Sequence, residues 1–243
     1  MANTINRSIE NRNVFNLDPT DRVAYFTAHP DDASMFMAYA LDNTAKLIAE
    51  TGSEPLHAYI ASNGEASTKG DREFVLAGRR REEAMAEAEY FGVPKSKLHL
   101  PGHPDSKLGE SYNHSVLTRD IDSFLDRNKI STAITLGAAG GDGHSDHVAT
   151  HHAVVSLQRN FPRMNIFSLN SKGQGEIVIP KTNIDVKLGG LALNSSQFEI
   201  NRNEENVDNS SLHRIGGFVV ASSQVESLSP YQHYLEYESY DAH

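Results

Sequence analysis

The chain has no cysteine and no tryptophan in its 243 residues. Without thiols there is no disulfide framework, thiolate metal site or cysteine nucleophile, so any bound metal must be held by His, Asp and Glu. Basic residues are also scarce: 22 Lys and Arg stand against 32 Asp and Glu, a formal net charge of −10. That balance speaks against nucleic acid and anionic membrane surfaces as partners, since both demand a basic footprint. No apolar run is long enough to span a bilayer, and Met1 to Asp21 is polar and Asn-rich, without the apolar core of a signal peptide. The expectation is a soluble, cytoplasmic protein with no membrane insertion, and the composition is compatible with a homo-oligomer. No internal repeat and no Pro/Gly/Ser-rich linker divides the chain, so residues 21–243 read as one domain behind an N-terminal extension, 1–20.

What is present alternates between apolar strands and amphipathic helices. Val23-Ala24-Tyr25-Phe26-Thr27 is an apolar and aromatic run that ends just before Pro30. Proline has no N–H to extend a ladder, so the run reads as a buried strand ending in a loop. Ala33 to Glu50 has near-helical apolar spacing and stops at Gly52; His57 to Ala61 is a second strand; Asp71 to Phe91, closed by Gly92, is the strongest helical stretch. Leu98 to Leu100, a helix from Ser111 to Asn128 and the strand Ile130 to Leu136 continue the alternation, followed by a glycine-rich turn, Gly137 to Gly143, and a helix from Ser145 to Asn160. Repeated β-α-β units imply parallel strands with right-handed crossovers. The expected fold is therefore α/β, a single-domain Rossmann-like sandwich with a mostly parallel central sheet and helices on both faces. Beyond Phe161 the pattern weakens to strands at Met164 to Leu169 and Glu176 to Ile179, a helix from Val186 to Phe198, a polar loop from Asn201 to Asn209, a strand at Gly216 to Ala221 and a terminal helix from Tyr231 to Tyr240.

Chemistry collects at two strand ends. Ala28-His29-Pro30-Asp31-Asp32 follows the first strand and Asp142-Gly143-His144-Ser145-Asp146-His147 follows the fourth. In open α/β sheets ligands bind outside the carboxyl ends of the strands, so both clusters are expected on one edge. A catalytic zinc takes N and O ligands in roughly tetrahedral array and keeps one position for water. His29 and Asp32 can supply two ligands and His147 a third. His144 and His147 are three apart, which lets one turn present both to the same cavity.

These two clusters resemble the hallmarks of the zinc-dependent deacetylases of N-acetylglucosamine conjugates, the PIG-L or LmbE-like family: an Ala-His-Pro-Asp-Asp motif after the first strand and a His-Pro-Asp-His motif after a later one. The first is intact here, and in the second Ser145 replaces the usual proline. The resemblance implies that His29, Asp32 and His147 bind Zn²⁺, that Asp31 is the general base, and that His144 faces the substrate as electrophile or general acid. Chemistry supports this division, because zinc lowers the pKa of bound water from about 15.7 toward about 7 and a neighbouring carboxylate can take the remaining proton. His144 can alternatively be a supporting residue or a fourth ligand. Asp146 is expected to orient a histidine through its ring N–H. Arg80, in an Arg-x-x-Glu stretch of the long helix, and Asp105, in Gly102-His103-Pro104-Asp105-Ser106, match the family more loosely and would contact a sugar. Ser62 to Glu65, Lys187 through Gln197 and Glu236 to Tyr240 are similar to further family segments, with Asn194 where a histidine is common. The similarity is clear from Val23 to His152 and faint beyond.

The activity so implied is metal-dependent hydrolysis of a linear C–N amide, removing an N-acyl, acetyl, group from a small-molecule amino sugar or glycoconjugate. Two other readings compete with this one. A phosphoryl-transfer or sugar-nucleotide enzyme could hold Mg²⁺ through Asp31 and Asp32, but the chain has no Gly-x-x-x-x-Gly-Lys-Ser/Thr loop and histidines suit zinc better than magnesium. Gly137 to Gly143 lacks the spacing of a dinucleotide fingerprint. A noncatalytic carbohydrate-binding protein is the third reading, and it requires a site with no open metal position.

Overall fold

The computed structural model describes residues 13–67, 73–170, 175–181, 184–197, 200–202, 212–215, 218–221 and 237–243. Strand β1 (Val23–Thr27) is buried along its whole length, as an all-apolar run between two parallel neighbours must be. It pairs in parallel with β2 (His57–Ile60) on one side and β4 (Thr132–Thr135) on the other, so that Phe26 lies beside both Tyr59 and Thr135. With β3 (Leu98–His99), β5 (Asn165–Leu169) and β6 (Ile177–Pro180), the main sheet runs β3-β2-β1-β4-β5-β10-β6. Its tenth-strand member, β10 (Tyr237–Ala242), is antiparallel to both β5 and β6. A separate three-stranded antiparallel sheet is formed by β7 (Ile200–Arg202), β9 (Phe218–Ala221) and β8 (Leu212–Ile215).

The helices lie on two faces. On one, α1 (Asp32–Phe36), α2 (Ala38–Thr51) and α3 (Glu73–Tyr90) pack with α6 (Ile184–Leu193); on the other, α4 (Ser111–Asn128) packs on α5 (Ser145–Ser156). The expected sandwich with a mostly parallel sheet is therefore present. Its core is continuous through Tyr25, Phe26, Tyr59, Phe91, Ile121 and Ile134, all at most 2% exposed, and each such side chain contributes about 1.5–3 kcal/mol. Phe15 also reaches this core, stacking on Phe167 and meeting Tyr240 edge-on. No helix among the described residues is long and apolar enough to cross a membrane.

Three expectations need correction. The terminal segment is a strand over Tyr237–Ala242; the remainder of the expected helix, 231–236, lies outside the described residues. Tyrosines at every third position imitate helical spacing, but Glu238, Ser239 and Tyr240 are all buried, because β10 is inserted between two strands and is covered on both faces. The single helix expected over Ala33 to Glu50 is two, broken at Met37 (φ −127°, ψ 7°). Asn201 and Arg202, expected in a loop, are the end of β7; 203–209 lie outside the described residues.

Candidate active site

Strand order reverses between β1 and β4, and the loops that leave these two neighbours diverge to opposite faces, opening a crevice. Both histidine-aspartate clusters fall there. Asp32, the first residue of α1, turns its Oδ2 back to accept the N–H groups of Ala28 (3.0 Å) and His29 (2.8 Å). That leaves Oδ1 facing His147 Nε2 at 3.1 Å and His29 Nδ1 at 3.7 Å, with the two ring nitrogens 3.0 Å apart.

The opposite edges of the two rings decide their tautomers. His29 Nε2 lies 3.0 Å from Asp105 Oδ1, and His147 Nδ1 lies 2.7 Å from the carbonyl of Gly140. Protons on those nitrogens direct the lone pairs of His29 Nδ1 and His147 Nε2 at one point, beside Asp32 Oδ1. Two lone pairs and a buried carboxylate oxygen facing each other repel unless a cation sits among them. A single metal ion with borderline ligands fits this donor set.

Electrostatics agree. Burial alone would lower the pKa of His147, yet the Asp32 charge and hydrogen bonds to Asp142 and Asp32 raise it to about 10. Burial would also raise Asp32, but His147 and His29 hold it well below the usual carboxylate range. The pocket thus favours positive charge strongly enough to retain protons where a metal would sit. His144 differs: burial, then the charges of His29 and His147, depress its pKa. It is the N-cap of α5, and its Nδ1 accepts the N–H of Asp146 at 3.2 Å. The neutral ring therefore carries its proton on Nε2. Its ring centre is 4.8 Å from that of His29 and 4.9 Å from that of His147.

Asp31 flanks the cluster and is held from α3, where Arg80 Nη2 donates to its Oδ1 while Nη1 donates to the Gly64 carbonyl (2.9 Å). Arg80 is only 4% exposed, so its guanidinium borders the cavity while engaged with Asp31. Gly64 (φ +67°) occupies a conformation that side chains resist, and a Cβ there would also meet the guanidinium, which would have to shift. Asp105 and Asp146 both approach His29 Nε2. Asp105, expected to contact a sugar, faces His29, and its Oδ2 accepts Ala66 N–H at 2.7 Å. Asp146, expected to orient a histidine, lies 3.6 Å from His29 Nε2 and mainly accepts Ser106 N–H (2.5 Å) and Leu108 N–H (3.1 Å), shaping the loop that carries Asp105.

Together these groups line a cavity of about 220 Å³, into which Met35 and Phe36 also project. Sequence reasoning missed several supports. Glu83 accepts from Ser195 and Ser196, Glu87 from Ser34 and Asn194, and Lys187 pairs with Glu238. Arg80, Glu83 and Glu87, at i, i+3 and i+7 of α3, were the available signal, since such a row on a helix otherwise apolar toward the sheet must meet polar partners.

Fold and site together define an α/β protein with a histidine-aspartate cluster that could hold a metal ion at the carboxyl edge of its sheet. More narrowly, the chain belongs to the PIG-L family, described as GlcNAc-PI de-N-acetylase, whose model matches residues 24–158. It is 28% identical over 143 residues to the N-acetylglucosaminyl-phosphatidylinositol de-N-acetylase of Bos taurus, covering 56% of this chain and 50% of that protein. It is 26% identical over 161 residues to the 1D-myo-inositol 2-acetamido-2-deoxy-alpha-D-glucopyranoside deacetylase of Corynebacterium urealyticum, covering 57% and 48%. The chain spans about half the length of the curated relatives it matches. Its fold is similar to that of the N,N'-diacetylchitobiose deacetylase of Pyrococcus horikoshii, with a TM-score of 0.60 at 18% identity over 82% of this chain and 80% of that one.

Proposed function

We propose that this chain is a zinc-dependent hydrolase that removes an acetyl group from the nitrogen of an amino sugar or its conjugate. The observation that carries this reading is the convergence of His29 Nδ1, Asp32 Oδ1 and His147 Nε2 within 3.7 Å of one another, beside a carboxylate that is no part of that triad, Asp31. Two imidazoles and a carboxylate are a zinc donor set, whereas magnesium prefers oxygen ligands and retained waters. That favours amide hydrolysis over the phosphoryl-transfer reading.

Zinc, when bound, supplies a Lewis acid for the amide carbonyl and makes a water acidic enough to be deprotonated near neutral pH. In this reading Asp31, oriented by Arg80, takes that proton as the water oxygen bonds to the carbonyl carbon. His144 donates through Nε2–H to the developing oxyanion, and the neutral ring is the form its surroundings favour. The proton then passes to the departing nitrogen as the C–N bond breaks, giving a carboxylic acid and an amine. Arg80 and Asp105, at the cavity wall, remain the candidates for contact with sugar hydroxyls. Two relatives are named as deacetylases of glucosaminyl-inositol compounds, and the similarity supports an N-acetylglucosaminyl substrate for this chain as well.

The test is release of acetate from a panel of N-acylated amino sugars and glycosyl-inositols by the zinc-loaded chain. Turnover of at least one amide, lost in Asp31→Asn with zinc content unchanged, is expected. Silence on every amide by a folded, zinc-loaded chain would favour the binding-protein reading.

A further inference from the structure

His147 is approached at its outer nitrogen by two acceptors. Its Nδ1 lies 2.7 Å from the Gly140 carbonyl and 2.9 Å from Asp142 Oδ1. The same Asp142 oxygen accepts the N–H of His144 at 2.9 Å. One carboxylate oxygen thus touches both histidines of the second cluster, one through its ring and one through its backbone.

The turn is built for this. Gly140, Gly141 and Gly143 have φ of 70°, 72° and 89°, a region that side chains resist and glycine occupies freely. At Gly140 a Cβ would also press on the Cβ of His147 at 3.2 Å. Within Gly140–Gly143 the one residue with a side chain is Asp142, and it sends that side chain back to His147. The carbonyl and the carboxylate are not equivalent partners. A neutral carbonyl orients the ring, whereas an anion on Nδ1–H also raises the basicity of Nε2, the atom aimed at His29 and Asp32.

We propose that Asp142 is a positioning residue of the metal site, holding His147 as a strong Nε2 donor and fixing the His144 backbone through the same oxygen. The inference rests on the metal-site reading above. It assigns a function to the Gly-Gly-Asp-Gly turn, whose composition otherwise imitates a phosphate-binding loop.

The test is zinc affinity, measured on the purified zinc-free chain by competition with a chromophoric chelator, with thermal melting of the same zinc-free samples. Wild type is expected to bind one zinc. Asp142→Ala is expected to bind about 10- to 100-fold more weakly, its zinc-free samples still melting in one cooperative transition. Asp142→Asn, which keeps an acceptor oxygen without the charge, should fall between the two. Wild-type affinity in Asp142→Ala overturns the proposal and leaves the Gly140 carbonyl as the orienting group. Should the alanine variant fold poorly, Asp142→Asn decides: affinity several-fold below wild type supports the proposal, and wild-type affinity overturns it. A wild-type chain that takes up no zinc overturns the metal reading itself, a result distinct from either.

Discussion

Lys187 and Glu238 form an ion pair, Nζ to Oε1 at 3.1 Å, between side chains that are 1% and 0% exposed. The pair closes the break between α1 and α2. Glu238 accepts the N–H groups of Tyr39 (3.0 Å) and Ala40 (2.9 Å) at the start of α2, while Lys187 donates to the Met35 carbonyl (3.1 Å) at the end of α1. A helix that would otherwise bury unsatisfied N–H and C=O groups at Met37 is satisfied at both ends by residues from the far end of the chain. Since α1 begins at Asp32 and carries Met35 and Phe36 into the cavity, this pair sets the wall of the site.

Removing one partner leaves a buried charge alone, so Glu238→Ala is expected to destabilise the chain by about 3–5 kcal/mol. The double variant Lys187→Met/Glu238→Gln should lose less than the single one, because no unpaired charge remains. Urea midpoints of the single and double variants check this ordering.

Arg80→Met should lower kcat about 10²-fold or more, within the range of general-base effects, while zinc content stays at the wild-type level. Arg80→Lys is not expected to rescue it, since one ammonium cannot match the fork that serves both Asp31 Oδ1 and the Gly64 carbonyl. Steady-state kinetics with metal analysis of the same samples tests both statements.

Gly64→Ala should reproduce the Arg80 defect from a position that has no side chain of its own. The new Cβ meets the guanidinium, and the left-handed backbone adds a penalty of about 1–2 kcal/mol. A lower melting temperature together with a reduced kcat is the expected pair of results; lower stability with full kcat would show that Arg80 can move without disturbing Asp31.

His57, 1% exposed in β2, has its pKa pushed from 6.5 to about 4, first by burial and then by the Lys97 charge. The unfolded chain binds this proton more readily than the folded one. The stability contributed by neutral His57 is therefore complete above pH 6.5 and is lost as pH falls toward 4, amounting to at most about 3 kcal/mol. His57→Leu should flatten this limb of the stability profile. Urea midpoints at pH 7 and pH 4.5 measure the difference, and an equal decline in both proteins would place the acid sensitivity elsewhere.

Chelation of zinc should abolish activity and lower the melting temperature, both reversed by added zinc. A ligand at 1,000 times its dissociation constant stabilises by about 4 kcal/mol. His29→Ala and His147→Ala should show neither response, whereas Asp31→Asn should keep the thermal response and lose the activity.

Much of this molecule is legible locally. The run Val23 to Thr27 and the proline after it are enough to place a buried strand and a loop at its end. Helical periods closed by Gly52 and Gly92 then establish the crossovers, and so bring His29, Asp32 and His147 to one edge. These features depend on residues near each other in the chain, where period, capping and backbone preference act. The sequence also singled out Asp31 and Arg80, which both line the cavity, without their relation to each other.

Tertiary structure decided whatever depends on which side chains meet across the fold. Asp105 rather than Asp146 faces His29 most closely, because the loop after β3 is drawn over the crevice by Asp146 itself. Arg80 is joined to Asp31 because its buried side chain reaches from α3 to the loop after β1 and Gly64 gives its guanidinium room. The segment at Tyr237 is a strand, despite helix-like tyrosine spacing, because the gap between β5 and β6 supplies hydrogen-bond partners on both sides. Local pattern reports a residue's period and preference; its partner is set by strand order and by the reach of a side chain, which depend on the whole fold.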